Sequence, residues 1–419
     1  MSKLDELIRE LCPDGAEYVK LNSVCDIYDG THSTPNYTES GVKFASVENI
    51  GDLYATQKYI SEKDFEKYKI KPRIGDVMMT RIGSVGVCTV VDRNEALAFY
   101  VSLALLRPQL DKVQSRFLKY AIESIHGRKE LRKRTLINAV PIKINKDDIG
   151  KVTIPLPPIE IQSEIVRVLD NFTNLTAELT AELTARKMQY SYYRDNLLSF
   201  NMSVSKKKIG EITRVFSAAR VHKNEWTQEG VPFYRSSDVI SKFNGVENSR
   251  GKAYISFDLY KRLSAKSGKI MKDDILITGG GTIGIPYVVP SDEPIYVKDA
   301  DLLCIQKSKE FNSRFLFHYF LSTEFRKYLE NITHNATIAH YTISQIENTP
   351  VPLPPLDVQN RIVNVLDNFE KICSDLNIGL PAEIEARQKQ YEYYRDKLLT
   401  FAETGNTILN GTERNGTER

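Results

Sequence analysis

The chain has 419 residues, 41% of them apolar and 26% charged, and its 57 basic and 54 acidic side chains leave a net charge of only +3. That length implies two or three domains with real cores. The balance of charge excludes a nucleic-acid binder that works by bulk charge, so any such function must reside in local clusters.

The first residues, MSKLDELIREL, are charged from residue 3 onward and lack the apolar stretch of a secretion signal. No apolar run is long enough to span a membrane, so the expected location is cytoplasmic. Five dispersed cysteines without a C-x-x-C pair fit a reducing compartment, and six histidines show no metal-ligand spacing. Residues 1–154 mix short strand patterns (VMMTRI, VGVCTVV) with a helix (SRFLKYAIESIHG), punctuated by Gly, Pro, Asn and Asp. Strands and helices do not alternate regularly, so the expected class is α+β.

Residues 155–202 read as one long helix. After PLPP, no Pro or Gly occurs from Ile159 to Phe200, and Ile165, Leu169, Phe172, Leu175, Leu179, Leu183, Tyr190, Tyr193 and Leu197 recur at helical spacing. Pro157 and Pro158 suit the helix start. Such a helix would be a rod of roughly 60 Å. Residues 203–351 return to mixed patterns (DILIT, IPYVV). Residues 352–401 form a second long helix, in which Gly379 and Pro381 predict a break. Residues 402–419 are polar, end in a doubled NGTER, and are expected to be disordered.

An internal repeat organises the chain. PLPPIEIQSEIVRVLDNF (155–172) is rewritten 197 residues later as PLPPLDVQNRIVNVLDNF, and QYSYYRDNLLSF (189–200) returns as QYEYYRDKLLTF (390–401). SRFLKYAIES and GDVMMTRIGSVGV have counterparts in SRFLFHYFLS and DDILITGGGTIGI. The expected architecture is two similar mixed α/β modules joined by two long helices, paired as an antiparallel intramolecular coiled coil with a pseudo-two-fold repeat. The rods differ by four residues, and LTAELTAELTA (175–185) is a tandem four-residue repeat. One added unit would lengthen a helix by about 6 Å and turn it by about 40°.

Two modules, two long helices opened by PLPP…Q…IV.VLD.F and closed by QY.YYRD.LL.F, resemble the specificity subunit of a Type I DNA restriction–modification system, over nearly the whole chain. The tandem TAEL is similar to the IC subfamily. The resemblance implies that each module is a target recognition domain for one half of a split site in double-stranded DNA. It implies that the helices set the gap and dock two methyltransferase subunits, with restriction subunits completing the assembly and no membrane involved. S-adenosylmethionine, ATP and Mg2+ would then belong to those partners, leaving this chain without a cofactor, a metal or catalysis of its own. A tandem adaptor that binds other proteins through its coiled coil is the alternative.

The residues agree with a non-catalytic chain. A DNA amino-methyltransferase needs a polar residue, two prolines and an aromatic in succession, and LPPI and LPPL lack both flanking members. GGGTIG (279–284) matches a dinucleotide fingerprint, but IPYVVP follows it where a helix would be required, so a tight turn between strands is expected.

Phosphate contacts call for Lys and Arg, and base readout for polar side chains on loops. The densest basic run supplies Arg128, Lys129, Arg132, Lys133 and Arg134, with Arg326 and Lys327 in the second copy. Asn138, His334 and Asn335 follow these runs. Loop candidates are Thr31, His32, Ser33 and Thr34 in the first module, and Arg220, His222 and Lys223 in the second. Arg235, Ser236 and Ser237 lie in YRSSD, opposite FASVEN in the first module; Arg81 and Ser84 share the glycine turn, with Thr278 and Thr282 opposite. The YYRD segments are expected to pack the rods and their adjoining modules at the rod ends, and Tyr192, Arg194, Tyr393 and Arg395 are their candidates for partner contact.

Overall fold

The computed structural model describes residues 3–200, 204–244, 246, 251–333, 340–375 and 378–404. The chain divides into two compact units, Met1–Ala177 with Ala386–Arg419, and Glu178–Glu385. The division does not follow the linear boundaries at 154, 202 and 351. The central helix, Ile159–Leu198, runs unbroken for 40 residues and belongs to unit 1 in its first part and unit 2 in its second.

Unit 1 is built on a four-stranded antiparallel sheet in the order Cys25–Asp29, Leu103–Pro108, Val77–Thr80, Cys88–Val90. The alternation along VMMT explains why all four residues are buried. Val77 and Met79 face a core shared with Phe117, Ile165 and Leu169, while Met78 faces a second core with Leu53 and Phe99. The second core is closed by a smaller sheet in which Val42–Ala45 pairs antiparallel with Tyr59–Ile60 and parallel with Leu97–Phe99.

Unit 2 repeats the plan. Its sheet runs Val215–Ser217, Leu302–Ile305, Ile275–Thr278, Pro286–Val288. Ile275 and Ile277 join one core and Leu276 the other. Its smaller sheet gains a strand, Trp226–Thr227, and a helix, Ser236–Phe243, where unit 1 has only a short 3-10 turn at Val47–Asn49. In each unit the sheet is followed by two helices, Ser115–Glu123 and Ile125–Arg134 in unit 1, Ser313–Leu321 and Thr323–Thr333 in unit 2.

The long helices start where the proline pairs predict, and one buried glutamine explains how each start is held. Gln162 accepts from the Gln114 N–H at 2.9 Å and donates to the carbonyls of Lys112 and Pro157 at 2.9 and 2.8 Å. Gln359 does the same for Asn312, Glu310 and Pro354 at 2.8, 3.2 and 2.8 Å. Both side chains are fully buried. Nearby, Arg116 and Tyr120 both engage Asp170, and Arg314 and His318 both engage Asp367.

The second rod is broken as expected, into Leu356–Ser374 and Leu380–Leu399, with Pro381 near the start of its second piece. In unit 2 the rod segments run antiparallel: Lys187 lies in the field of Cys373, Tyr190 in that of Glu370, and Tyr193 stacks on Phe369 at 5.3 Å. In unit 1 Tyr394 stacks on Phe172 at 5.1 Å. The expected tail boundary shifts: Phe401 and Ala402 are buried, Ala402 accepts from the Ala16 N–H at 3.1 Å, and Phe401–Thr404 is helical. Residues 405–419 lie outside the described residues. Among the described residues no helix is long and apolar enough to cross a membrane.

The two units differ at His318, which stands where unit 1 has Tyr120. His318 is fully buried, with Nε2 2.7 Å from Asp367 and Nδ1 2.8 Å from the Tyr190 hydroxyl. Burial pushes the imidazole pKa down, against the pull of the Asp367 hydrogen bond. A neutral ring donating to Asp367 and accepting from Tyr190 satisfies all three groups. The unfolded chain takes up a proton near pH 6.5 while the folded ring does not. Unit 2 should therefore be at full strength above about pH 6.5 and lose stability as pH falls below it. His318→Gln should flatten the dependence of the melting temperature on pH between 7.5 and 5.5; an unchanged slope would place its origin elsewhere.

Candidate nucleic-acid interface

In each unit a glycine turn closes the central hairpin and leans on a helix, the basic Ile125–Arg134 in unit 1 and Thr323–Thr333, with equal acids and bases, in unit 2. In unit 2, Ile275–Thr278 is followed by the turn and then by Pro286–Val288, so GGGTIG joins two strands and has no helix to present to a nucleotide. Gly284 has φ +73°, and a Cβ there would lie 2.5 Å from Leu329; Gly86, at φ +92°, meets Leu131 at the same distance. The positive φ at both positions favours glycine, and a side chain there would also have to displace the end of the leucine. Thr278 is buried and ties the turn from inside, donating to the Thr282 carbonyl and accepting from the Ile285 N–H.

In unit 1, the basic helix Ile125–Arg134 runs into a finger, residues 135–144, that folds back beside the glycine turn. Leu136 N–H donates to the Lys143 carbonyl at 2.8 Å, and Gly83 N–H to the Ile142 carbonyl at 2.8 Å. Arg81 joins these pieces. It is buried, pairs with Asp29 at the end of the strand that leads into the loop 29–37, and donates through Nε to the Ile144 carbonyl at 3.1 Å. The Ile144 N–H also donates to the Arg81 carbonyl at 3.0 Å; unit 2 keeps this backbone link, Tyr341 N–H to the Gly279 carbonyl at 2.9 Å, but has a glycine where the arginine stands.

The predicted contact residues separate by exposure. Arg128, Lys129, Arg132, Lys133, Asn138, His32, Ser33, Thr34 and Ser84 are exposed in unit 1, and Thr31 is half-buried. Lys133 reaches Glu130 at 2.7 Å. Arg220, His222, Lys223, Thr282 and Lys327 are exposed in unit 2, with Ser236 and Ser237 half-buried.

Several expectations are corrected. Arg81 is a strut inside the fold rather than a surface group. Arg235 is buried and bonded through Nε and Nη2 to Asp238 at 2.8 and 3.0 Å, which keeps it from phosphate. Thr278 belongs to the interior of its turn. Arg134 is half-buried against Glu130 at 2.8 Å, and Arg326 is half-buried, donating to the Ile283 carbonyl at 3.3 Å. His334 and Asn335 lie outside the described residues.

The YYRD segments tie each rod to a helix of its own unit. Asp396 accepts from the Ile125 N–H at 2.9 Å, at the first turn of the unit 1 basic helix. Asp195 does the same in unit 2, accepting from the Thr323 N–H at 3.1 Å and from its hydroxyl. A carboxylate there satisfies helix N–H groups that have no partner within the helix and complements the helix dipole. Burial alone would push the Asp195 carboxyl up, but hydrogen bonds from Thr323 and Arg194 hold it below the usual carboxylate range.

Arg395 is 2% exposed, bonded to Asp396 and set over the Tyr391 ring; Arg194 is bonded to Asp195 and set over Tyr190. Neither arginine is offered to a partner, which corrects that expectation. Tyr192 and Tyr393 are exposed, at 65% and 49%.

Sequence reasoning missed Gln162 and Gln359 as structural anchors, although both recur in the repeat. It missed a cleft in unit 2 where Tyr234 and Tyr287 meet edge to face at 6.4 Å beside Lys242. Among the described residues, His318, Asp367 and Glu370 could hold a metal, but Arg314 already bridges both carboxylates.

Two copies of one scaffold carry different loops around a glycine turn packed on a helix. The profile of the Type I restriction modification DNA specificity domain matches the chain twice, at residues 13–186 and 202–386, and the chain belongs to that family. A Haemophilus influenzae protein named as a type I restriction enzyme specificity subunit is 32% identical over 304 residues, covering 67% of this chain and 75% of its own length. The EcoR124I/EcoR124II specificity subunit of Escherichia coli is 33% identical over 264 residues, 60% of this chain and 63% of that one. The crystal structure of the S subunit of a Type I restriction–modification system from M. genitalium matches with a TM-score of 0.53 at 14% identity, covering 92% of this chain and 96% of that one. A second structure, from work on assembly of the type I system, matches at 0.57 and 16%, covering 93% and 98%. At these identities the structural matches speak for the fold.

Proposed function

We propose that the chain, the non-catalytic DNA-recognition subunit of a Type I restriction–modification complex, uses unit 1 and unit 2 to read two different half-sites of one interrupted sequence. The observation that carries this reading is the contrast between scaffold and loops. Both units share the buried glutamine, the capping aspartate, and the glycine turn on its helix. They differ in what surrounds the turn: THST and an arginine strut in unit 1, Arg220–His222–Lys223 and the added helix Ser236–Phe243 in unit 2. Different surfaces on one frame suit different base sequences.

Exposed Tyr192 and Tyr393, at matching points of the repeat, suit two copies of one methyltransferase partner, with restriction subunits completing the complex. Methyl donor, ATP and Mg2+ would be bound by those partners. Methylome sequencing of cells carrying this chain and its methyltransferase tests the reading. The expected result is an asymmetric motif with a fixed gap; a continuous palindrome or no motif overturns it. Deleting one TAEL unit from 175–185 should shorten the central helix by about 6 Å and change the gap by about one to two base pairs, with both half-sites unchanged.

A further inference from the structure

The finger of unit 1 carries an exposed apolar tip. Ile137 is 63% exposed and Val140 100%, with Leu136 and Ile142 at 44% and 41%. Contiguous exposed aliphatic side chains mark a surface that meets something. The base of the finger is anchored: the Leu136 N–H bonds the Lys143 carbonyl, the Gly83 N–H bonds the Ile142 carbonyl, and Arg81, paired with Asp29, bonds the Ile144 carbonyl. An anchored base lowers the ordering entropy that docking of the tip costs.

Charge selects the occupant. The helix leading into the finger exposes Arg128, Lys129 and Arg132, and Lys143 at the base is exposed as well. The one acid on that helix, Glu130, is buried and bonded to Lys133 and Arg134. An apolar tip framed by cations suits a polyanion with an apolar feature inside its groove, which describes duplex DNA. On the base edges of the major groove that feature is the thymine 5-methyl group. Asn138, exposed between Ile137 and Val140, adds an amide suited to adenine.

We propose that the tip of the finger enters the major groove of the half-site read by unit 1, with Ile137 and Val140 packing on a thymine methyl group. This rests on the half-site reading above and names one of the bases it would read. The test uses the assembled complex with its methyltransferase and a duplex bearing the mapped site. Thymines in each half-site are replaced in turn by deoxyuridine, which lacks only the methyl.

One replacement should weaken wild-type binding about fourfold. The Ile137→Ser/Val140→Ser variant should bind the thymine duplex about tenfold more weakly than wild type and no longer distinguish thymine from uracil at that position. The substituted side chains are solvent-exposed, and a melting curve matching wild type shows that the variant folds. The inference is overturned if no uracil replacement matters, if the variant discriminates as wild type does, or if the variant loses its methyltransferase, which would make the tip a protein contact. If the wild-type complex fails to prefer the mapped site over a scrambled one, the half-site reading itself fails.

Discussion

Asp396→Ala is expected to destabilise unit 1 by about 3–5 kcal/mol, far more than Asp195→Ala destabilises unit 2. Both carboxylates cap a helix, and a lost cap costs about 1 kcal/mol. The difference lies in the arginines behind them. The Arg395 side chain is 2% exposed, so removing Asp396 strands a buried charge. The Arg194 side chain is 11% exposed and Asp195 34%, so water can take over part of that pair and the cost should stay near 1–2 kcal/mol. Asp396→Asn keeps an acceptor for the Ile125 N–H and should recover about 1 kcal/mol. Urea unfolding of the three variants checks the ranking; equal losses at the two aspartates would show that burial of the arginine does not set the cost.

Gln162→Leu should cost about 3 kcal/mol or more, and Gln359→Leu a similar amount in the other unit. Leucine is of similar size but leaves one N–H and two carbonyls without their partner, the Pro157 carbonyl buried and the other two groups part-buried, at about 1–3 kcal/mol for a fully buried group and less for the others. Gln162→Glu should be at least as damaging, because a carboxylate would face the Lys112 and Pro157 carbonyls that the amide now donates to. The loss should come with freer motion at the start of the long helix, read as faster amide exchange over residues 159–165. A glutamate variant as stable as wild type would mean that water replaces the amide.

Much of the plan was legible because the chain states it twice. The repeat of PLPP…Q…VLD.F and QY.YYRD.LL.F set the number of modules, the number of rods and the family. Local chemistry set the element ends: prolines at 157 and 158 start the central helix, and Gly379 with Pro381 breaks the second rod. The turn reading of GGGTIG also followed from what came after it, since a strand pattern cannot supply the helix that a nucleotide site needs.

Residue type alone misassigned the arginines. Arg81, Arg235 and Arg395 look like phosphate or partner contacts in a list of residues, yet each is buried on an aspartate of its own unit. Whether a guanidinium faces solvent depends on the carboxylate opposite it, and Asp29 lies 52 residues from Arg81. The finger escaped notice for the complementary reason. Leu136, Ile137, Val140 and Ile142 look like core residues until the fold leaves them outside.

The sequence by itself determined that there are two of everything, where the helices begin and break, and which family the chain joins, because repeats, prolines and glycines act over a few residues. Only the tertiary structure decided which copy of YYRD serves which module. Asp396 caps a helix that begins 271 residues earlier, and Asp195 one that begins 128 residues later. Those partnerships depend on how the chain closes on itself, and local propensity carries no information about contacts at that separation.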